Sequence, residues 1–136
     1  MTYEEWESQV AEEIRADALW KMEAYRLALF LYDLAWQDSE RLLQDPRGRE
    51  VTKQLIRSAG SIAANIEEGF GRGFGKEYAY FLRVSLGSTR EARGWYYRSH
   101  RLLPPAVIEH RIDLLSQITA LLVTAAQQQK QRTHRD

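Results

Sequence analysis

The sequence predicts an all-α protein: an antiparallel, up-down-up-down four-helix bundle with an extra N-terminal helical arm. Three observations predict it. Breakers are sparse: residues 1–45 hold neither proline nor glycine, and then come Asp45-Pro46-Arg47-Gly48, the series Gly69, Gly71, Gly73 and Gly75, and Pro104-Pro105. The four segments so divided carry apolar residues at steps of three and four, with no sustained period-two alternation. Residues 54–75, QLIRSAGSIAANIEEGFGRGFG, are small and apolar and stop at glycine, as the inner helix of a bundle should.

The first segment opens with Thr2 and Glu5 at capping-box spacing. A stripe follows through Tyr3, Trp6, Val10, Ile14, Ala18, Met22, Tyr25, Leu29, Tyr32 and Trp36. Read as one helix it is about 40 residues long, roughly 60 Å at 1.5 Å per residue. A break near Ala16-Asp17 is the alternative, with Asp17 as N-cap and the main helix starting close to it. Residues 1–16 are then an amphipathic arm whose stripe is buried on this subunit or on a neighbour. Residues 17–126 form the bundle, and residues 127–136 a polar, fraying tail.

The second helix is expected over residues 50–68, with Leu55, Ile56, Ala59, Ile62, Ala63 and Ile66 inward. Gly60 in its interior costs about 1 kcal/mol relative to alanine, a loss that close helix contact offsets. Gly69 is expected to end it in a left-handed conformation. The third helix, residues 76–101, gathers Tyr78, Phe81, Ser85, Ser88, Ala92, Trp95, Tyr96, Ser99 and Leu103 on one side. Arg83, Arg90 and Arg101 fall within roughly 20° of one another on the opposite side, flanked by Arg93 and Arg98. Pro104 stops this helix, and Pro105 suits the first turn of the fourth. The fourth carries Ile108, Ile112, Leu115, Ile118, Leu122 and Ala125 inward.

At 136 residues the chain suffices for one domain, and 44% hydrophobic with 28% charged residues is globular rather than disordered composition. There is no cysteine, which removes disulfides, thiolate metal sites and cysteine nucleophiles and fits a reducing compartment. The acidic N-terminus does not have the pattern of a signal peptide, and no stretch approaches the roughly 18 apolar residues of a membrane span. A cytoplasmic protein without a membrane partner is expected. The net charge of zero hides an asymmetry: residues 1–46 carry 4 basic and 11 acidic side chains, whereas residues 47–101 carry 11 basic and 5 acidic. Either the two sets face each other and neutralise, or a basic face is left open to phosphates.

Catalytic patterns are missing. No histidine lies three residues after a glutamate, so the ligand set of a di-iron bundle is not there, and His100, His110 and His134 are not spaced as ligands on one helix. No G-x-S-x-G elbow occurs, and Ser58, Ser61, Ser85 and Ser88 sit where small residues pack helices. GFGRGFG follows a helix rather than a strand and matches neither dinucleotide nor Walker loops. No cofactor, metal or reaction is expected. Asn65 points partly inward and needs hydrogen-bond partners. With Glu67, Glu68 and Arg72 it forms either a polar clamp on the loop after the second helix or a small site at the bundle end.

SIAANIEEGFGRG followed by KEYAYFLRVSLGSTREA resembles the four-helix bundle proteins of the 23S ribosomal RNA intervening-sequence family. The shared pattern falls on Asn65, Glu68, Gly69, Arg72, Tyr78, Phe81, Leu82, Gly87, Ser88 and Glu91, and the likeness spans roughly residues 19–125. Residues 1–16 precede the family's usual start. The resemblance implies an antiparallel four-helix bundle, assembly as a homopentamer, and no enzymatic activity. It also implies RNA or DNA as a partner, and a reverse transcriptase, since a relative serves as accessory protein of diversity-generating retroelements. Arg83, Arg90, Arg93, Arg98 and Arg101 are the candidate contacts for nucleic acid or for a neighbouring subunit, and Asn65, Glu68, Gly69, Arg72 and Glu91 the candidate bundle-end clamp. A scaffolding module without nucleic-acid binding is the alternative.

Overall fold

The computed structural model describes residues 1–132. Two short helices, α1 (Tyr3–Glu7) and α2 (Glu12–Arg15), and a 3₁₀ turn (Ala18–Lys21) lead into four long ones: α3 (Glu23–Leu42), α4 (Pro46–Gly71), α5 (Lys76–Arg98) and α6 (Pro105–Gln131). No strand occurs among the described residues. Each long helix packs on the next, and α3 closes against α6. Cross-contacts fix the directions. Between α3 and α4, Tyr25 meets Glu67, Tyr32 lies over Gly60, and Leu42 abuts Gly48. Between α4 and α5, residue 57 pairs with 91, 61 with 88 and 62 with 85. Between α5 and α6, Arg93 meets Ser116 and Gly75 meets Gln129. In every pair one number rises as the other falls, so consecutive helices run antiparallel, as in an up-down-up-down bundle.

The arm is broken more often than expected. Thr2 and Glu5 do form the reciprocal capping box. Asp17 does cap, its carboxylate accepting from Leu19 N at 2.9 Å, but what it starts is the 3₁₀ turn. Met22 is then extended (ψ 112°), and the main helix begins only at Glu23. That extended residue resets the helical phase. The inner face of α3 is therefore Ala24, Tyr25, Ala28, Leu31, Leu34, Ala35 and Leu42, while Leu29 and Tyr32 are half-buried and Trp36 is 61% exposed. The arm's stripe packs on its own subunit through Trp6, Tyr3 and Val10, of which Trp6 is the buried one. Trp6 stacks on Trp20 (5.9 Å), contacts Phe30 (5.3 Å) and donates its Nε1–H to Asp33 at 2.7 Å; Ile14 remains exposed.

The second helix is longer at both ends than the expected residues 50–68. Asp45 accepts from Arg47 N at 2.8 Å and Pro46 opens the first turn, an arrangement suited to a helix start. The Arg47 side chain beside it, with Arg47 N, pushes the Asp45 carboxyl down to about 2. Gly69 does not stop α4. It is helical and buried, because a Cβ there would lie 2.7 Å from Phe81 Cβ and 2.8 Å from Tyr78 Cδ1. The left-handed glycines are Gly73 (φ 112°) and Gly75 (φ 79°), where the chain turns into α5. The inward set of α4 is otherwise as expected: Leu55, Ala59, Ile62 and Ile66 are fully buried and Ala63 nearly so, with Ile56 half-buried. α5 ends at Arg98 rather than 101, and α6 continues to Gln131 through most of the expected polar tail. The last four residues of that tail, 133–136, lie outside the described residues.

Candidate nucleic-acid interface

Arg83, Arg90 and Arg98 of α5 are exposed, as its wheel requires, and so is Arg101 in the turn that follows it. No carboxylate among the described residues forms an ion pair with any of the four. The acidic segment 1–46 is joined to α4 by the Arg47–Asp45 pair at 3.0 Å, and among the described residues no ion pair joins it to α5. Within the subunit Arg47, Lys53, Arg57 and Arg72 of α4 and its C-cap do have carboxylate partners, whereas Arg83, Arg90, Arg98 and Arg101 have none among the described residues. Arg93 behaves differently. It is half-buried and donates to Ser116 Oγ at 3.2 Å, so it ties α5 to α6. Arg98 folds back over Trp95, its guanidinium carbon 4.7 Å from the ring centroid.

The five residues of the expected clamp separate into different contacts. Asn65 donates its amide to Ser61 O and Ser61 Oγ, both at 2.8 Å, and Ser88 Oγ also donates to Ser61 Oγ at 2.8 Å. Its partner is therefore Ser61, one turn back on α4 at the crossing with α5. Glu68 accepts from Arg72 (2.9 and 3.0 Å), which reaches on to Glu77 (3.1 Å) and over the Phe81 ring. This trio does brace the α4–α5 turn, although all three side chains are half exposed and such pairs contribute little each. Gly69 supplies close packing. Glu91 stands well along α5, accepting from Arg57 (3.2 Å) and from Trp95 Nε1 (3.3 Å).

The strongest polar feature lies elsewhere. Asp38 of α3 accepts from Tyr96 Oη of α5 (2.6 Å) and from both Nε (2.8 Å) and Nη2 (3.1 Å) of Arg111 of α6. The carboxylate and guanidinium are about nine-tenths buried, with side-chain exposures of 9% and 12%. Burial first, and Asp38 next, raise the Tyr96 phenol well above its ordinary value, so it stays a donor at all moderate pH. Only half of the signal for this network was present in the sequence, since the face of α3 that carries Asp38 was not the one the stripe through Leu29, Tyr32 and Trp36 marked as inward. Asp38 falls in step with Leu31, Leu34 and Leu42, and Arg111 falls between Ile108 and Leu115, both on core faces. A charge on a core face needs a partner, and these two supply each other.

His110 borders the network, its Nδ1 accepting from Arg111 Nη1 at 2.7 Å. Burial, and after it the Arg111 charge, lower its pKa below the ordinary 6.5. A histidine with a depressed folded-state pKa contributes stability that is complete above the unfolded value and is lost as pH falls through the folded one. We expect an NMR titration to place the His110 midpoint below 6.5, and melting temperature to decline on the acid side of that value. A midpoint at or above 6.5 would contradict the geometry.

Among the described residues no cluster of His, Cys, Asp or Glu could hold a metal ion, and no helix is long and apolar enough to cross a membrane. Neither a curated protein nor a solved structure matches the chain. The model of one family does match, over residues 20–124, which begins within the 3₁₀ turn, leaves out α1 and α2, and ends inside α6. With most of its length covered, including all of α3, α4 and α5, the chain belongs to the 23S rRNA-intervening sequence protein family.

Proposed function

We propose that this protein is a self-assembling, non-catalytic helical bundle that binds RNA or DNA on the outward face of α5. The observation that carries this reading is the set of exposed cations Arg83, Arg90, Arg98 and Arg101 without carboxylate partners among the described residues. Arg83 and Arg90 stand about 10 Å apart along the helix axis, a spacing at which both can reach one nucleic-acid backbone. Arg93, turned toward Ser116, is left out.

Self-assembly is supported by an uncovered apolar strip. Trp36 of α3 and Leu43 just after it, 61% and 49% exposed, form with Ile56 of α4 an open groove of about 300 Å³. A second of about 280 Å³ continues along Leu29, Tyr32, Gly60 and Ala64. A second copy is the occupant that the family resemblance implies, and repeated copies would add the weak phosphate contacts by avidity.

The test is binding to a labelled oligonucleotide at two salt concentrations. With about four phosphate contacts, duplex affinity should fall roughly 100-fold between about 50 and 200 mM salt. The Arg83→Glu/Arg90→Glu variant should lose most of the low-salt affinity with its melting temperature unchanged. No retention at low salt removes the reading. The opposed charges of residues 1–46 and α5 favour a second reading, in which the arginines of one copy meet α3 of the next. In that case Arg90→Glu lowers the mass seen by light scattering instead of abolishing binding.

A further inference from the structure

Where α5 ends, three arginines line one groove, and an exposed aromatic ring neighbours two of them in the chain. Arg47 at the start of α4, Arg98 and Arg101 line one open groove of about 190 Å³ together with Val51 and Leu102. Tyr97, which precedes Arg98 in the chain and is not part of the groove's lining, is 62% exposed, and the His100 ring lies 5.2 Å from it at 38°. Gly94 leaves room for the Arg98 guanidinium to lie back over Trp95, since a Cβ there would lie 2.9 Å from Arg98 Nη1 and the side chain would have to shift. Asp45 holds one edge of Arg47, at 3.0 and 3.1 Å, whereas Arg98 and Arg101 have no carboxylate partner among the described residues. The groove is shallow and below the volume that encloses a typical small molecule, which is roughly 300 Å³ or more.

From this juxtaposition we infer that this end of the bundle is a platform for unpaired nucleotides. It rests on the nucleic-acid reading above and narrows it to single-stranded RNA or DNA. A base stacks on Tyr97, and the phosphates on either side of it are met by Arg98 and Arg101, with Arg47 across the groove. Exposed aromatic rings next to free cations suit single strands, because every base has a face to stack and charge tracks the backbone. In a duplex those faces are covered by neighbouring base pairs, and Tyr97 would meet only the sugar-phosphate surface. Tyr97 and Arg98 lie in the last turn of α5 and Arg101 three residues beyond it, while Arg47 comes from the first turn of α4, so the spacing depends on how those two helix ends pack.

The test compares fluorescein-labelled 15-mers of dT and U with a hairpin duplex of equal charge and with an abasic 15-mer, at low salt. Both base-bearing single strands should bind more tightly than the duplex and than the abasic strand. Tyr97→Ala should weaken the base-bearing strands about 5- to 100-fold and leave the abasic strand unchanged, while Tyr97→Phe keeps the affinity. Equal binding of all four probes, or a neutral Tyr97→Ala, overturns the platform and leaves the nucleic-acid reading standing. Binding of none of them removes both. Light scattering on Tyr97→Ala should give the parent mass; a lower mass would make Tyr97 a subunit contact and overturn the inference.

Discussion

Replacing Asp38 by alanine is expected to cost about 3–5 kcal/mol, which lowers the melting temperature by roughly 10–20 °C. The reason lies in what stays behind. Arg111 would remain in a site where its side chain is only 12% exposed, with its carboxylate partner removed, and Tyr96 would lose the acceptor of its hydroxyl. The comparison variants separate causes. Tyr96→Phe removes one hydrogen bond to a charged group and should cost about 1.5–3 kcal/mol. Asp38→Leu/Arg111→Met removes both charges and should cost less than Asp38→Ala alone, because no ion is then left in the interior. Chemical denaturation followed by circular dichroism measures all three. An Asp38→Ala loss within ~1 kcal/mol would mean that water or another carboxylate reaches Arg111 and that the network is not a closed unit.

The second large effect is expected at Gly48. A Cβ there would lie 1.8 Å from the carbonyl oxygen of Leu42, with the Leu42 carbonyl carbon at 2.6 Å. Backbone cannot swing aside as a side-chain tip can, so alanine must pry open the turn between α3 and α4. We expect Gly48→Ala to destabilise by about 3 kcal/mol or more, at or above the upper end of ordinary overpacking. Gly87 is the matched control. It is also helical but exposed, with nothing within 4 Å of an added Cβ. Gly87→Ala should therefore stabilise by about 0.5–1 kcal/mol through helix propensity alone. Urea unfolding of the pair decides the matter, and equal shifts in both variants would sink the packing argument.

Which features were legible follows from the range of the interactions that set them. Helix identity and number rest on local periodicity and breakers, and these read directly: four long helices, Pro105 in the first turn of the last, Thr2 and Glu5 as a capping box, and Leu55, Ala59, Ile62 and Ile66 turned inward. The phase of α3 did not read, because one extended residue, Met22, interrupts a stripe that looks continuous in sequence. Gly69 misled for a related reason. Glycine serves both as a left-handed stop and as a point of close approach, and only the positions of Tyr78 and Phe81 decide between the two. The wheel of α5 did not reveal that Arg93 is half-buried, drawn in by a neighbouring helix through Ser116.

The chain by itself determined an all-helical fold, its antiparallel order, its inward small-residue helix and a cationic α5, because each depends on residues at most four apart or on short connections. Only the tertiary structure decided that Asp38, Tyr96 and Arg111 meet, that Trp36 lies outside, and that Arg47 stands across from Arg98 and Arg101. Those outcomes join residues dozens of positions apart. Their distances are fixed by how whole helices rotate and slide against one another, and no local pattern encodes that.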